Sequence, residues 1–388
     1  MSNIVTVDKQ MEQEFAYVDS IINAHTNSAI AKVNAEALQT YWEVGQFVSE
    51  RLHSSRWGEH AVDELAAYLK RVNPKRRGYG KRSLYNMVKI YDTYSPSVFA
   101  DTIEQLQLDK FVQSQIAQIE AHPIVQTSSA QTNSLIVQSG IAQFQPSQVP
   151  AILCLIPYTA HIEIINRCKT MEESIFYMLY AAHQHLKVEE LRRSIVNQTY
   201  SAIMSKDKMM SPALLEQYPN AEYMLKDQVF IDFLNLKFPH NEPQLQQSLV
   251  EHMKQFVLEL GKDDFIYIDR EYTVNVGNKK KRIDLVFYHR TLQCLVAVEL
   301  KVVDYEAEFS SKMDMYLEAL DRDYRKPNEN PSLGIILCPS ADRAEVEYSI
   351  NRSMTPTMVS EYNRVLVPRE VAKQSLKEYC EFIKVQFD

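Results

Sequence analysis

Two apolar runs, Ile283 to Tyr288 and Cys294 to Leu300, flank a polar His289-Arg290-Thr291 turn inside KKKRIDLVFYHRTLQCLVAVELK. Short runs this rich in Val, Leu, Ile and Phe, closed by a polar turn, predict a β-hairpin. A buried strand has little use for a carboxylate, yet each run carries one: Asp284 in the first and Glu299 in the second. Centring the hairpin between Thr291 and Leu292 sets Asp284 directly opposite Glu299, with Cβ atoms roughly 5 Å apart. Side-chain alternation then puts Lys301 on the same face as Glu299. Two carboxylates that close repel each other unless a cation lies between them.

Around the hairpin the pattern alternates. A helix is expected at about Pro243 to Leu260, then strands at Phe265 to Val276, Arg282 to Tyr288 and Cys294 to Leu300. A helix at about Ser310 to Tyr324, a strand at Leu333 to Cys338, a helix at about Ala341 to Ser349 and a strand near Val365 follow. Such an order implies one mixed sheet covered by helices, an α/β domain over 229–388. Upstream, residues 1–103 are expected to form a helical domain: apolar residues recur at 3.6 spacing from Glu12 to Tyr94, interrupted at Asn73-Pro74 and Gly78-Tyr79-Gly80. Residues 104–150, rich in Gln, Ser and Thr, read as a linker or insertion, and 151–228 as a helical continuation and connector.

The interruption is basic. Residues 70–82, KRVNPKRRGYGKR, hold seven cationic side chains and no acid. Helix, basic turn and helix fit a helix-turn-helix or winged arrangement, with Lys75, Arg76, Arg77, Lys81, Arg82, Tyr85 and Asn86 offered to a nucleic-acid backbone or groove. A solvated loop between two packing helices fits the same residues.

Composition excludes several classes. The net charge of −8 rules out a uniformly basic coat, so any nucleic-acid contact must come from local patches. No apolar run approaches the ~20 residues that cross a bilayer, and the N-terminus lacks a signal-peptide pattern, which points to the cytoplasm. The 5 cysteines are widely spaced, without a CxxC pair. GYGKR is no phosphate-binding P-loop, because its glycines are too close and no hydroxyl follows, so no nucleotide cofactor is expected. Neither HExxH nor GxSxG occurs, and the histidines, His289 among them, are scattered.

The hairpin acids have a specific chemical use. Hydrolysing a phosphodiester requires a cation to neutralise charge on the phosphoryl oxygens and a water aimed in line. Carboxylates on adjacent strands suit Mg²⁺, with Mn²⁺ as a substitute, and the Leu300 carbonyl offers a further oxygen. Lys301 is placed to hold or deprotonate the water. A structural Glu299–Lys301 pair at a strand end, with Asp284 at an edge, also fits the same three residues.

The surrounding text carries a resemblance. RIDLVFYHRTLQCLVAVELK, KMDMYLEALDRDYRKPNENPSLGIILC and VEYSI resemble the C-terminal nuclease domain of the bacterial YhcG family, whose D-(x)n-E-x-K pattern is that of the PD-(D/E)XK nucleases. VNAEALQTYWEVGQFVSERL, WGEHAVDELAAYLKR and GYGKRSLYNMVKIYDTY resemble that family's N-terminal helical domain. The resemblance implies a restriction-endonuclease-like C-terminal fold and a Mg²⁺-dependent DNA endonuclease or nickase. It implies Asp284 and Glu299 as metal ligands and Lys301 as the catalytic lysine. A helix before the strands often supplies another carboxylate in such enzymes; here the aligned position is Gln246, and Glu251 is the next acid onward. Lys312 falls where relatives carry Gln or Lys on the following helix. Lys279, Lys280, Lys281 and Arg282 read as a phosphate guide ahead of Asp284. RNA stays open as a substrate, as do pairing of two chains into a homodimer and the alternative of a nucleic-acid-binding or assembly protein that uses the fold without catalysis.

Overall fold

The predicted hairpin lies in the middle of a seven-stranded mixed sheet. The structure is a computed structural model that describes residues 34–54, 57, 60–108, 149–234, 241–363 and 373–387. The chain divides into two compact units, Met1–Ala182 with Ile383–Asp388, and His183–Phe382.

In the second unit, β3 (Phe265–Val276), β4 (Lys279–His289) and β5 (Cys294–Leu300) run antiparallel in sequence. Two-residue turns suit antiparallel neighbours, and Gly277, at φ +60°, supplies the left-handed residue that the β3–β4 turn requires. Beyond β5 the sheet becomes parallel, through β6 (Leu333–Cys338) to β7 (Thr357–Asn363). Parallel neighbours need helical crossovers. These are α13 (Ala307–Asp323) and α14 (Arg343–Ile350), which bury Met313, Tyr316, Leu317, Leu320, Val346 and Ile350 against Val286, Ala297, Ile336 and Val359. Gly334 lets α13 approach β6: an added Cβ would lie 2.5 Å from Met313 Cγ.

Leu285 and Phe287, which alternate with Val286, are also fully buried. Phe287 meets Phe256 and Phe265 with ring centroids 6.1 Å apart in both cases. Phe256 belongs to a helical segment expected to be continuous from Pro243 to Leu260. It is two helices, α11 (Glu242–Glu251) and α12 (Met253–Leu260), broken at His252. The strand expected near Val365 is β7, which ends at Asn363; Val365 itself lies outside the described residues.

The unit begins at His183, upstream of position 229. Its first part contains α7 (Val188–Val196), α8 (Thr199–Met204), α9 (Pro212–Gln217) and α10 (Ala221–Met224). Two short strands interrupt them, β1 (Met209–Met210) and β2 (Gln228–Phe230), and both pair with β7. Strands this short carry no periodicity, so the connector reading did not contain them. A final helix, α15 (Lys373–Phe387), was likewise not foreseen.

The first unit is helical throughout its described residues. Helix α1 covers 34–53, followed by α2 (Ala61–Val72), α3 (Lys81–Tyr94), α4 (Ser97–Gln105), α5 (Tyr158–Arg167) and α6 (Met171–His183). Val48, Val62, Leu84, Met87 and Val88 join α1, α2 and α3 in one core. A Cβ at Gly45 would collide with the Met87 carbonyl, so glycine sets how closely α1 crosses α3. Helix, turn and helix are present as expected, but no described residue of this unit forms a wing strand. Most of the Gln/Ser-rich stretch, 109–148, lies outside the described residues.

Candidate active site

The register of β4 on β5 runs His289↔Cys294 to Leu285↔Val298. One further step along it brings Asp284 and Glu299 side by side, the pairing that the sequence implied. Glu299 is 1% exposed, and its ladder continues to Ile336 on β6. Asp284 Oδ2 accepts the Leu300 amide at 2.8 Å. Burial, and next the charge of Glu299, push the Asp284 carboxyl up from 3.8 to about 6.

Two lysines answer these acids. Lys301 Nζ lies 2.8 Å from Glu299 Oε1 and 5.1 Å from the centroid of the Phe309 ring. Its main chain is fixed by Leu337 O and Tyr362 Oη, at 2.9 Å each. Lys312, one and a half turns into α13, places Nζ 2.5 Å from the same Glu299 Oε1. Burial works against that ammonium, but the hydrogen bond and charge of Glu299 hold it well above the ordinary lysine range. Glu299 Oε2, by contrast, is buried and has no hydrogen-bond partner among the described residues. A buried carboxylate oxygen without a partner is costly, and a cation is one remedy.

The third acid at this site is Glu242, a residue that the sequence reading did not single out. Its Oε1 lies 3.3 Å from Lys301 Nζ. Asn241 and Gln244 form a capping box that starts α11 at Glu242, and an acid in the first turn reads as complementing the helix dipole. The available signal was spacing: Glu242 is one turn before Gln246, the position aligned to the family's helix carboxylate, and so shares its face.

Gln246 donates from Nε2 to the main-chain carbonyl of Asp284 at 2.9 Å. Glu251 lies half a rotation round the helix from Glu242 and accepts from Gln247 at 2.8 Å, so it stands away from the lysines. Leu300 contributes its amide to Asp284. Among the described residues no three Asp, Glu, His or Cys side chains form a ready-made metal cage. A hard divalent ion needs none, since Mg²⁺ binds through one or two carboxylates and retains several waters. The Asp284–Glu299 pair with the orphaned Oε2 fits that requirement.

Lys279, Lys280, Lys281 and Arg282 are exposed on the part of β4 that runs past the β5 ladder, paired with Val276 to Thr273 of β3. Arg282 meets Glu271 at 3.4 Å, and its carbonyl accepts the Tyr316 hydroxyl at 2.5 Å. In the first unit, Lys75, Arg76, Arg77, Arg82 and Tyr85 are exposed on the α2–α3 turn and the start of α3. Lys81 is tied to Asp63 at 2.8 Å, and Asn86 hydrogen-bonds Tyr158. His289, placed in the turn by the sequence pattern, is instead the last residue of β4, paired with Cys294, and its Nδ1 accepts the Leu292 amide at 3.2 Å.

An acid on one strand, an E-x-K on its neighbour and flanking helices that add a carboxylate and a lysine describe a PD-(D/E)XK nuclease domain. Residues 222–378 match the YhcG PDDEXK nuclease domain, and residues 17–122 match the DUF1016 N-terminal domain. Residues 222–378 therefore carry a nuclease domain of the YhcG type. It is 27% identical over 363 residues to the "Putative nuclease YhcG" of Escherichia coli (strain K12), covering 89% of this chain and 88% of that protein. Among solved structures it is similar to a repair endonuclease from Pyrococcus abyssi, with 20% identity over 34% of this chain and 50% of the other, at a TM-score of 0.23. An EndoMS–dsDNA complex is similar at 17% identity, over 35% and 48%, with the same score of 0.23. The chain thus spans about half the length of these two structures. No helix among the described residues is long and apolar enough to cross a membrane.

Proposed function

We propose that this protein is a cytoplasmic, metal-dependent DNA endonuclease or nickase. The observation that carries this reading is the partnerless, buried Glu299 Oε2 beside an Asp284 carboxyl whose pKa is raised, within reach of two lysines. Asp284 and Glu299 hold Mg²⁺ or Mn²⁺, with the Leu300 carbonyl as a further oxygen ligand. Bound there, the ion supplies charge neutralisation at the phosphoryl oxygens. Lys301, held between Glu299 and Glu242, orients the attacking water. Lys312 stabilises negative charge developing on the phosphate.

The exposed cations Lys279 to Arg282 guide the phosphate backbone toward Asp284. Lys75, Arg76, Arg77, Lys81, Arg82, Tyr85 and Asn86 hold nucleic acid in the first unit. One such catalytic group per chain among the described residues cuts one strand at a time, so cleaving both strands takes a second copy or a second encounter.

The test is cleavage of supercoiled plasmid and of matched DNA and RNA oligonucleotides in Mg²⁺ or Mn²⁺, comparing wild type with Asp284→Ala and Lys301→Ala. Cutting by wild type alone, with nicked circles preceding linear product, is expected. Equal cutting by all three proteins marks a contaminant and overturns the assignment. A binding protein without catalysis predicts salt-sensitive DNA binding and intact plasmid under either metal.

A further inference from the structure

Asp284 sits where both neighbouring strands let go of β4. On one side, the β5 ladder stops at Leu285↔Val298. On the other, the β3 ladder holds Arg270↔Leu285 and Tyr272↔Ile283 but skips the residue between them, Glu271, which has the left-handed φ of +46°. A non-glycine residue in that region is strained, and such strain gathers at functional sites. Ile283 and Val286, three residues apart, nevertheless join one core, so regular alternation is lost across Asp284.

Side chains replace the missing ladder. The carbonyl of Arg282 accepts Tyr316 Oη from α13 at 2.5 Å, and the carbonyl of Asp284 accepts Gln246 Nε2 from α11 at 2.9 Å. We propose that Gln246 is a positioning residue: its amide fixes the main chain of Asp284 and thereby aims the carboxylate between the Leu300 amide and Glu299. It is not a neutral substitute for a lost metal-binding acid, because Glu242, one turn earlier, provides the helix carboxylate next to Lys301. The amide type matters, since only a donor can satisfy a carbonyl at that distance.

This inference rests on the metal-site reading for one arm of its test and is independent of it for the other. In the independent arm, hydrogen exchange is followed by mass spectrometry on the metal-free full chain for wild type, Gln246→Met and, as a same-helix control, Glu251→Gln, which stands away from the site. Met retains volume but donates nothing. Several-fold faster exchange in peptides covering 283–286 and 299–301, with the thermal midpoint unchanged and the control silent, is the expected result. Unchanged exchange there overturns the proposal.

In the dependent arm, Mn²⁺ binding is titrated for wild type and Gln246→Glu. A carboxylate facing the Asp284 carbonyl repels it, so affinity should fall about 10-fold, the usual scale for a group that orients a metal ligand. Tighter or equal Mn²⁺ binding by Gln246→Glu marks position 246 as a ligand site or a bystander and overturns the proposal. If wild type binds no Mn²⁺, the metal-site reading fails, and the exchange arm alone decides the role of Gln246.

Discussion

Lys312 Nζ and Glu299 Oε1 meet at 2.5 Å, on the same oxygen that Lys301 holds at 2.8 Å, while Oε2 of that carboxylate has no partner among the described residues. Two ammonium groups therefore crowd one oxygen and leave the other for a cation. Removing Lys312 takes away positive charge that competes for Glu299. Lys312→Ala should bind Mn²⁺ several-fold more tightly, as measured by titration, and yet cut DNA roughly 100-fold more slowly, because a transition-state contact is lost.

Asp284 makes both metal binding and stability depend on pH. Its carboxyl is pushed up to about 6 by burial and then by Glu299. Protons compete for the ligand below that value, so Mn²⁺ affinity should fall as pH drops from 7 to 5. For stability the sign is opposite. Below the ordinary aspartate pKa, folded and unfolded chains both hold the proton. Between that value and about 6 only the folded chain holds it. The resulting stability is lost as pH rises through about 6, where the fold must carry a buried charge. Asp284→Asn should accordingly raise the thermal midpoint of the metal-free protein at pH 8 by a few degrees and leave it unchanged at pH 4.

Glu242→Gln tests the helix acid. Losing its charge frees Lys301 from one partner at 3.3 Å and keeps the other at 2.8 Å. The fold should keep its melting temperature, because Glu242 is half-exposed at the first residue of α11, while cleavage falls at least 10-fold in single-turnover assays.

The arm of β4 beyond β5 should act through charge alone. Replacing Lys279, Lys280 and Lys281 together by alanine is expected to weaken DNA binding uniformly across sequences and to reduce the slope of log affinity against log salt by about 2 to 3. Mn²⁺ titration of the same variant should match wild type.

Gly334→Ala probes the support under Lys312. The new Cβ would lie 2.5 Å from Met313 Cγ and 2.7 Å from its sulfur, so α13 must shift. Urea unfolding should show a loss of about 1–3 kcal/mol. Cleavage should fall under conditions where the variant is still fully folded, because Lys312 precedes Met313 on that helix.

Much of the second unit was legible in the chain itself. The β3 and β5 boundaries, the β6 strand and the hairpin register follow from apolar runs broken by turn residues, because a buried strand writes its length and pairing into local sequence. Asp284 and Glu299 stood out for the same reason, as charges in runs that should hold none. Strands β1 and β2 were not legible, since two or three residues carry no period and β7 alone makes them strands.

Glu242 and Gln246 divide along the same line. In sequence, an acid at a helix start is a dipole partner, and a glutamine aligned to an acid looks like a loss. Only packing α11 against the strands sets Glu242 beside Lys301 and gives Gln246 the Asp284 carbonyl. The sequence by itself determined the hairpin, its register and its two acids, Glu299 buried and Asp284 half-buried, because those depend on neighbours along the chain. Which lysine meets which oxygen, and which helix residue completes the group, was decided by tertiary structure, because those contacts join residues up to 59 positions apart.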